Sequence, residues 1–224
     1  MQTVLRDRFQ KAYDLSETQL VKLADFSTLL MQWSPKIDLI SPCSEAEFLD
    51  RHLEDSLRSL SIVRREFSGL ETKKLLDVGS GAGLPGMIWA IVSEGTEITL
   101  LEPREKRVVF LKEARRRLNL PRLHIQQGRF EDLPQKPEMD LICCRALGSR
   151  AFFLQTAISR LLPGGAAIEL LGSDSWSANA ELEAGALQAG FHAFDLVAYQ
   201  EDPPAGPETS DGRCLAISRV SRET

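Results

Sequence analysis

Long apolar runs are absent from this chain of 224 residues. The longest uninterrupted one, residues 87–92, is far shorter than the roughly 20 residues that a transmembrane helix needs. Residues 1–13 mix charged with apolar side chains and do not contain the apolar centre of a signal peptide. We therefore expect a cytoplasmic protein that has no membrane partner.

Cysteine is scarce and is not arranged for metal binding. Cys43, Cys143, Cys144 and Cys214 form no CxxC pair and do not have the spacing of zinc ligands. Cys143 and Cys144 lie in an apolar run that is typical of a buried strand. This usage favours a reducing compartment, and we predict no metal site.

Positive charge is missing from residues 161–212, which contain no Lys or Arg. The net charge is −5, but residues 104–122 are strongly basic, and their only acidic members are Glu105 and Glu113. Such a cluster is either a solvated helix face or a surface that binds nucleic acid, because the distribution of charge matters more than its total. The candidate RNA contacts are Lys106, Arg107, Arg115, Arg116, Arg117 and, further along the chain, Arg129.

A glycine-rich segment, residues 75–86, is the most informative part of the sequence. An apolar run that ends in Asp77 and Val78 leads into a glycine cluster and then into a helical pattern. We predict a strand, a tight turn and a helix. Glycine allows the positive φ angles of such a turn and the close approach of a ligand to the backbone, and the N-terminus of the helix would direct its N–H groups toward that ligand.

These glycines can be read in two registers. Gly81, Gly83 and Gly86 spell GxGxxG, the dinucleotide fingerprint. Gly79, Gly81 and Gly83 spell GxGxG after Asp77, which resembles the first motif of methyltransferases that use S-adenosylmethionine. The second register is favoured, because its strand ends in Val78 and not in a glycine. A P-loop is excluded, since Lys and Ser/Thr do not follow Gly86.

A carboxylate follows this loop at the spacing of a nucleoside site. Residues 97–102 read as a second strand that ends in Glu102. In doubly wound sheets, an acidic residue at this position accepts hydrogen bonds from ribose hydroxyls. The glycine loop and Glu102 together therefore predict a nucleoside-containing cofactor.

The N-terminal part of the chain is predicted to be helical. Capping boxes, Ser16 with Gln19 and Ser44 with Glu47, open two amphipathic patterns. The first helix is expected to end at residues 33–35, where a proline occurs. We predict a helical cap over residues 1–70 and a cofactor-binding α/β domain over residues 71–224.

The remaining elements alternate between strands and helices. We predict a basic helix over 106–119, strands over 123–126, 140–145, 166–171, 193–199 and 214–220, and helices over 152–162 and about 179–189. Residues 163–165 are predicted to be a turn, and the Pro/Gly-rich residues 202–212 a long hairpin loop. Because ligands lie over the carboxyl ends of such strands, the loop at 128–132 is expected to border the adenine, and Arg145 emerges at the same edge.

With these elements placed, the sequence resembles the GidB/RsmG family of bacterial methyltransferases, which modify guanine N7 in 16S ribosomal RNA. The matching segments are residues 33–41, 51–57, 77–86, 99–102 and 106–111, together with Arg145 and Ala146. The resemblance implies an α/β fold with a Rossmann-like class I methyltransferase sheet, mostly parallel with an antiparallel last strand, behind the helical cap. It also implies S-adenosyl-L-methionine as cofactor and 16S rRNA or the small ribosomal subunit as partner of a monomeric enzyme.

The resemblance also assigns roles to residues. The cofactor would bind at Asp77, Gly79, Gly81, Gly83, Leu84, Glu102, Phe130, Glu131 and Arg145. Arg145 would lie beside the methyl-transfer pocket, and the catalytic set would include His52 and Asp55, which lie three residues apart and therefore share a helix face. Two positions depart from the family pattern, which has Ser at Cys144 and Lys at Leu171.

Two other functions remain open from the sequence. An NAD-dependent oxidoreductase also uses a glycine loop and a carboxylate after the second strand. An RNA-binding assembly protein with a vestigial cofactor pocket would explain the missing lysine. Motifs for methylation of exocyclic amines or of pyrimidine C5 are absent after the fourth strand, which is compatible with alkylation of a ring nitrogen.

Overall fold

Seven strands form one mixed sheet in the computed structural model, which describes residues 1–70, 73–172, 175, 177–198 and 213–222. Their order is β3-β2-β1-β4-β5-β7-β6, and β7 runs antiparallel to both of its neighbours. This arrangement confirms the predicted fold class. The strands are β1 (Lys74–Val78), β2 (Glu97–Glu102), β3 (Leu123–Gln127), β4 (Met139–Arg145), β5 (Leu161–Leu171), β6 (Ala193–Ala198) and β7 (Cys214–Arg219).

Helices precede and connect these strands. In the described part of the chain they are α1 (Gln2–Leu5), α2 (Glu17–Ile37), α3 (Glu45–Phe48), α4 (Asp55–Glu66), α5 (Gly86–Val92), α6 (Glu105–Arg117), α7 (Arg150–Ile158) and α8 (Asn179–Gln188). Wider π-helical turns follow α1 at Arg6–Gln10 and join α3 to α4 at Leu49–Glu54. Both predicted capping boxes are present at the starts of α2 and α3. The predicted hairpin loop at 202–212 lies outside the described residues.

Helix α5 is buried on every side. All of its residues, from Gly86 to Val92, are buried, because α5 packs between β2 on one side and α2 and α4 on the other. The Trp89 indole N–H donates a hydrogen bond of 2.8 Å to the backbone oxygen of Ser56. The α-helical N-terminal segment therefore shares one hydrophobic core with this face of the sheet, whereas α7 and α8 cover the other face.

Two sequence predictions about proline were wrong. Helix α2 continues through Pro35 to Ile37, because a proline in the last turn removes only one backbone hydrogen bond. The helix ends where Asp38 adopts a left-handed conformation and donates its N–H to the Ser34 oxygen.

The turn predicted at 163–165 belongs to strand β5, and α7 ends earlier than predicted, at Ile158. Gly164 donates its N–H to Ser221, and Gly165 accepts one from Val220, so the neighbouring strand continues the ladder past this point. A Cβ at Gly165 would lie 2.7 Å from the Asp140 oxygen. Glycine therefore permits close strand pairing here and does not mark a turn.

Candidate functional site

The glycine loop lies at the carboxyl edge of the sheet, defined here as the edge where β1, β2, β4 and β5 end. Gly79, Gly81 and Gly83 have φ angles of 70°, 57° and 84°, which confirms the expected positive values. The N–H of Gly79 donates to the oxygen of Leu101 over 2.9 Å and joins the loop to β2. A Cβ at Gly79 would lie 3.3 Å from the Leu147 side chain, which approaches from the segment after β4.

Asp77 lies beneath this loop and is only 1% exposed. Its Oδ2 atom accepts the N–H of Gly86 over 3.1 Å, at the start of α5. Burial raises the pKa of Asp77 to about 6, although the hydrogen bonds from Gly86 and Cys143 oppose this shift. The carboxyl group therefore holds the helix start against β1.

Gly86 is required by this contact and not by its φ angle. A Cβ at Gly86 would lie 2.4 Å from Leu100 and 2.6 Å from the Asp77 carboxylate. Leu84, two residues earlier, is 8% exposed and packs in the core beneath the loop. The glycine that completes the LPG sequence thus allows α5 to pack closely on the sheet.

Glu102 ends β2 and is 2% exposed. Its Oε2 atom accepts the N–H of Gly81 over 2.8 Å, and its Oε1 atom accepts the N–H of Arg104 over 2.9 Å. A carboxylate has about four lone-pair sites, so these two bonds leave acceptor capacity for hydroxyl groups. Glu102 thus fixes the glycine loop at the same point where the sequence predicted a ribose contact.

The segment after β3 carries the two residues that were expected beside an adenine. The Phe130 ring is 4% exposed and packs 6.0 Å from the Phe153 ring, whereas Glu131 is exposed. Arg160, which is 3% exposed, lies over the Phe130 ring and donates to the backbone oxygen of Leu133. Arg160 therefore fixes the conformation of this segment from below.

Four polar side chains meet at the ends of α4, β4 and β7. An Arg145 NH2 atom lies 3.3 Å from His52 Nδ1 and 3.4 Å from Asp55 Oδ2. Arg213 contacts the same Asp55 oxygen at 2.6 Å and donates to the backbone oxygen of Arg51 over 2.7 Å. The structure thus brings the three predicted catalytic residues together and adds Arg213, which the sequence analysis had missed.

Burial controls the ionisation of this cluster. Desolvation, with Arg145, Arg213 and Arg51 nearby, lowers the pKa of His52 to about 4. Near pH 7 the imidazole is therefore neutral, and its Nδ1 can accept from Arg145 while Nε2 carries the proton. Burial also raises the pKa of Asp55, an effect that Arg145 and Arg213 partly oppose.

A cavity of about 360 Å³ adjoins this cluster at the ends of β4 and β5. The charged residues that line it are Arg145, Arg150, Arg213, Asp55 and Glu169. Leu171, where the family pattern has lysine, lines the same cavity. Arg150 and Arg213 therefore supply positive charge despite that departure, while the second departure, Cys144, is buried at the end of β4.

The candidate RNA contacts divide between two edges of the sheet. Helix α6 starts at the carboxyl edge and ends at the opposite edge, because it joins the end of β2 to the start of β3. Lys106 is exposed at the near end, where Arg107 donates to the Asp38 oxygen over 2.8 Å. Arg129 follows β3 at the same edge and lies 3.7 Å from Glu131.

Arg115, Arg116 and Arg117 lie at the far end of α6, roughly 15 Å along the helix from Lys106. Arg116 and Arg117 form ion pairs with Glu113 at 2.9 and 2.6 Å and lower the pKa of Glu113 to about 2. The structure therefore does not bring these three arginines next to the glycine loop.

Four residues of the site had only weak signals in the sequence. Arg213 is the first basic residue after the stretch 161–212, and Glu169 is the single carboxylate in the apolar run 166–171. Arg150 and Arg160 begin and follow α7 without any recognisable motif. Their contacts depend on elements that are distant in the chain, so only the folded topology reveals them.

Comparisons with known proteins agree with this geometry. The model of the GidB family, described as rRNA small subunit methyltransferase G, matches residues 19–201. The ribosomal RNA small subunit methyltransferase G of Polaromonas naphthalenivorans is 35% identical over 161 residues, which cover 70% of this chain and 72% of that protein. Its counterpart in Albidiferax ferrireducens is 32% identical over 216 residues and covers 92% of this chain and 91% of that protein.

Solved structures agree on the fold. A SAM dependent methyltransferase from Aquifex aeolicus superposes with a TM-score of 0.57 at 17% identity, covering 87% of this chain and 98% of that chain. At this level of identity, the likeness concerns the arrangement of strands and helices. In the described part of the chain, no helix combines the length and the apolar character that crossing a bilayer requires.

Proposed function

The chain belongs to the GidB family of small-subunit rRNA methyltransferases, and from that premise we propose that it transfers a methyl group from S-adenosyl-L-methionine to guanine N7 of 16S ribosomal RNA. The observation that carries the proposal is that a cofactor-type glycine loop and a cavity lie next to each other at the carboxyl edge. The glycine loop, held by Glu102, lies beside the cavity at which Asp55 and Arg145 meet. Family membership favours this function over an oxidoreductase and over an RNA-binding protein without activity.

The residues of the glycine loop fit the proposed cofactor. The positive φ angles of Gly79, Gly81 and Gly83 turn the backbone beside Glu102, a buried carboxylate with unused acceptor capacity. We assign the ribose hydroxyls to Glu102, and the remaining contacts to Asp77, Leu84, Phe130, Glu131 and Arg145. Asp77 would act from beneath the loop by holding Gly86. When bound, S-adenosylmethionine supplies an electrophilic methyl group on a sulfonium centre.

Methylation of guanine N7 does not require a side chain that removes a proton. Guanine N7 carries a lone pair and no proton at neutral pH, so no general base is needed. His52 is neutral near pH 7 and accepts a hydrogen bond from Arg145, which suits a positioning role. Asp55 can stabilise positive charge that develops on the base, and Arg145, which cannot act as a base, would orient the RNA.

We propose that the remaining parts of the chain serve RNA binding. Lys106, Arg107 and Arg129 lie at the carboxyl edge and would contact phosphates beside the target nucleotide. Arg115, Arg116 and Arg117 would contact more distant RNA. The helical cap of residues 1–70 covers the methyltransferase domain of residues 71–224 and supplies His52 and Asp55. The substrate is 16S rRNA or the small ribosomal subunit, and the enzyme acts as a cytoplasmic monomer.

Methyl incorporation tests this function directly. Purified protein and cofactor labelled on the methyl group are mixed with 16S rRNA or small subunits that lack the modification. The labelled nucleotide is then identified by digestion and mass spectrometry. We expect 7-methylguanosine at one position, and none with Gly81→Val, the control for cofactor binding. Label on another base, or calorimetric binding of NAD in place of S-adenosylmethionine, would contradict the proposal.

A further inference from the structure

The cavity at the ends of β4 and β5 is large enough to receive a single base. Its volume of about 360 Å³ falls within the range of about 300–1,000 Å³ that is typical of small-molecule sites. Leu147 lines the cavity and also lies against Gly79 of the glycine loop. A group in this cavity would therefore be a neighbour of the cofactor.

Glu169 is the least expected residue of this lining. It lies in the centre of a strand, it is 3% exposed, and its Oε2 atom lies 2.9 Å from the Arg150 Nε atom. Burial raises the pKa of Glu169 to about 7, while Arg150 opposes the shift. A buried ion pair contributes little net stability compared with apolar residues of similar volume, so stability alone does not account for this pair.

The ion pair leaves the carboxylate with acceptor capacity. The carboxylate has about four lone-pair sites, and its Oε2 atom, although it lies 2.9 Å from Arg150 Nε, has no hydrogen-bond partner among the described residues. Asp55 also lines the cavity, and its Oδ1 atom is buried and has no hydrogen-bond partner in the part of the chain that the structure describes. Within the same described ranges, two Arg150 nitrogens, Nε and an NH2 atom, are buried without a hydrogen-bond partner as well. The cavity thus presents acceptors and donors side by side, and a ligand that fits it should present N–H groups next to an acceptor oxygen.

We propose that Glu169 recognises the Watson–Crick edge of the acceptor guanine, its carboxylate accepting hydrogen bonds from N1–H and from the 2-amino group. The proposal rests on the proposed function and adds the residue that selects the base. Guanine has two adjacent donors on this edge, which match the two oxygens of an ionised carboxylate. The two donors of guanine would stabilise the ionised form of Glu169, whose pKa is about 7 in the free protein. Adenine has an unprotonated N1 acceptor there and would leave an ionised carboxylate without that hydrogen bond.

This orientation also suits the atom that is methylated. The N1 and 2-amino groups belong to the six-membered ring of guanine, and N7 lies in the five-membered ring. A base bound by its Watson–Crick edge at Glu169 would therefore leave N7 directed away from that residue. Leu147 lines the cavity and lies against Gly79 of the glycine loop, so N7 would have to face Leu147 to reach the methyl group.

Inosine tests the contact, because it keeps N7 and N1–H but does not have the 2-amino group. Two RNAs are prepared by ligation, one with guanosine and one with inosine at the methylated position that mass spectrometry identifies. The value of kcat/KM is measured for both. We expect the wild type to prefer guanosine by about 10-fold or more, as for the loss of a hydrogen bond to a charged group. Glu169→Ala should slow the reaction with guanosine and bring the two substrates within about threefold of each other. The exposed Glu181→Ala is the control and should keep the wild-type preference.

Glu169→Ala leaves Arg150 buried without its ion-pair partner and could therefore impair folding, so a second variant is needed. Glu169→Leu combined with Arg150→Met replaces the ion pair by apolar groups, and it should also lose the preference for guanosine while binding S-adenosylmethionine with unchanged affinity. Equal wild-type rates on guanosine and inosine, or a full preference retained by both variants, would overturn the role of Glu169. A wild type that methylates neither RNA would instead refute the proposed function itself.

Discussion

At the scale of single residues, Asp77 is a buried carboxyl group with a raised pKa. Its contribution to the stability of the fold therefore depends on pH. Its folded-state pKa of about 6 lies above the usual value of 3.8, so the folded protein binds more protons between these values. The contribution of Asp77 is therefore present below about pH 4 and is lost as the pH rises through 6.

We predict that Asp77→Asn becomes more stable relative to the wild type as the pH rises from 4 to 8. Asparagine does not titrate, and it keeps an acceptor for the Gly86 N–H. The shift corresponds to roughly 3 kcal/mol in the free energy of unfolding. Urea titrations at pH 4, 6 and 8 measure this difference. A constant difference across the three pH values would contradict the raised pKa of Asp77.

The second prediction concerns His52 and Arg145. Because the pKa of His52 is lowered to about 4, the imidazole stays neutral between pH 6 and 8.5. The single-turnover rate at saturating RNA and cofactor should be nearly flat across that range. A rise of one log unit in rate per pH unit would indicate an obligatory base.

In the same assay, Arg145→Ala should lower the rate while changing cofactor affinity by less than about tenfold, or 1.4 kcal/mol. Arg122→Ala, far from the cluster, is the control and should behave as the wild type. Complete loss of cofactor binding in Arg145→Ala would instead make Arg145 primarily a cofactor ligand.

At the scale of elements, two glycines of the loop have different roles, since Gly81 serves cofactor binding and Gly86 serves folding. Gly81→Val should abolish cofactor binding and leave the sheet folded, because it places a β-branched residue at a φ of 57° beside the ligand. Gly86→Ala should destabilise the fold by about 1–3 kcal/mol, since its Cβ would overlap Leu100 and Asp77. Calorimetry with S-adenosylmethionine and thermal unfolding of both variants measure the two effects. Equal losses of stability in the two variants would contradict the separate roles of Gly81 and Gly86.

Helix α6 offers a comparison between its two ends. If phosphates bind at the carboxyl edge, Lys106→Ala with Arg129→Ala should reduce the slope of log affinity against log salt by about 1–2. Alanine at Arg115, Arg116 and Arg117 should reduce the slope less, because Glu113 already neutralises part of that charge. Filter binding of 16S rRNA at several salt concentrations measures the slopes. A larger effect at the far end would relocate the RNA surface.

The elements also differ in how far the sequence predicts them. The capping boxes, the glycine loop and the strand ending in Glu102 depend on local patterns, and the structure contains each of them. The position of Pro35 was misread, because proline tolerance depends on which helical turn it occupies. The pair of Arg150 and Glu169 was missed, because its partners come from α7 and β5 and meet only when the sheet forms.

At the scale of the whole molecule, we predict one cooperative unfolding transition. The helical cap buries Trp89 and the rest of α5, so deleting residues 1–70 would expose an entirely apolar helix. That truncated protein should be insoluble or should show broad, non-cooperative unfolding. Circular dichroism and calorimetry of the full chain and of the truncated chain test this. A truncated protein with a sharp transition and cofactor binding would indicate two independent folding units.

The ion pair between Asp55 and Arg213 joins two residues that are far apart in the sequence and are therefore synthesised at different times. During synthesis, the glycine loop, Glu102 and Arg145 are complete long before Arg213 has been added. Strand β6 is also made before β7, the strand that inserts between β5 and β6 and pairs with both. The residues assigned to the cofactor are therefore synthesised before the acceptor side is complete, and we expect catalysis only after β7 has paired with β5 and β6.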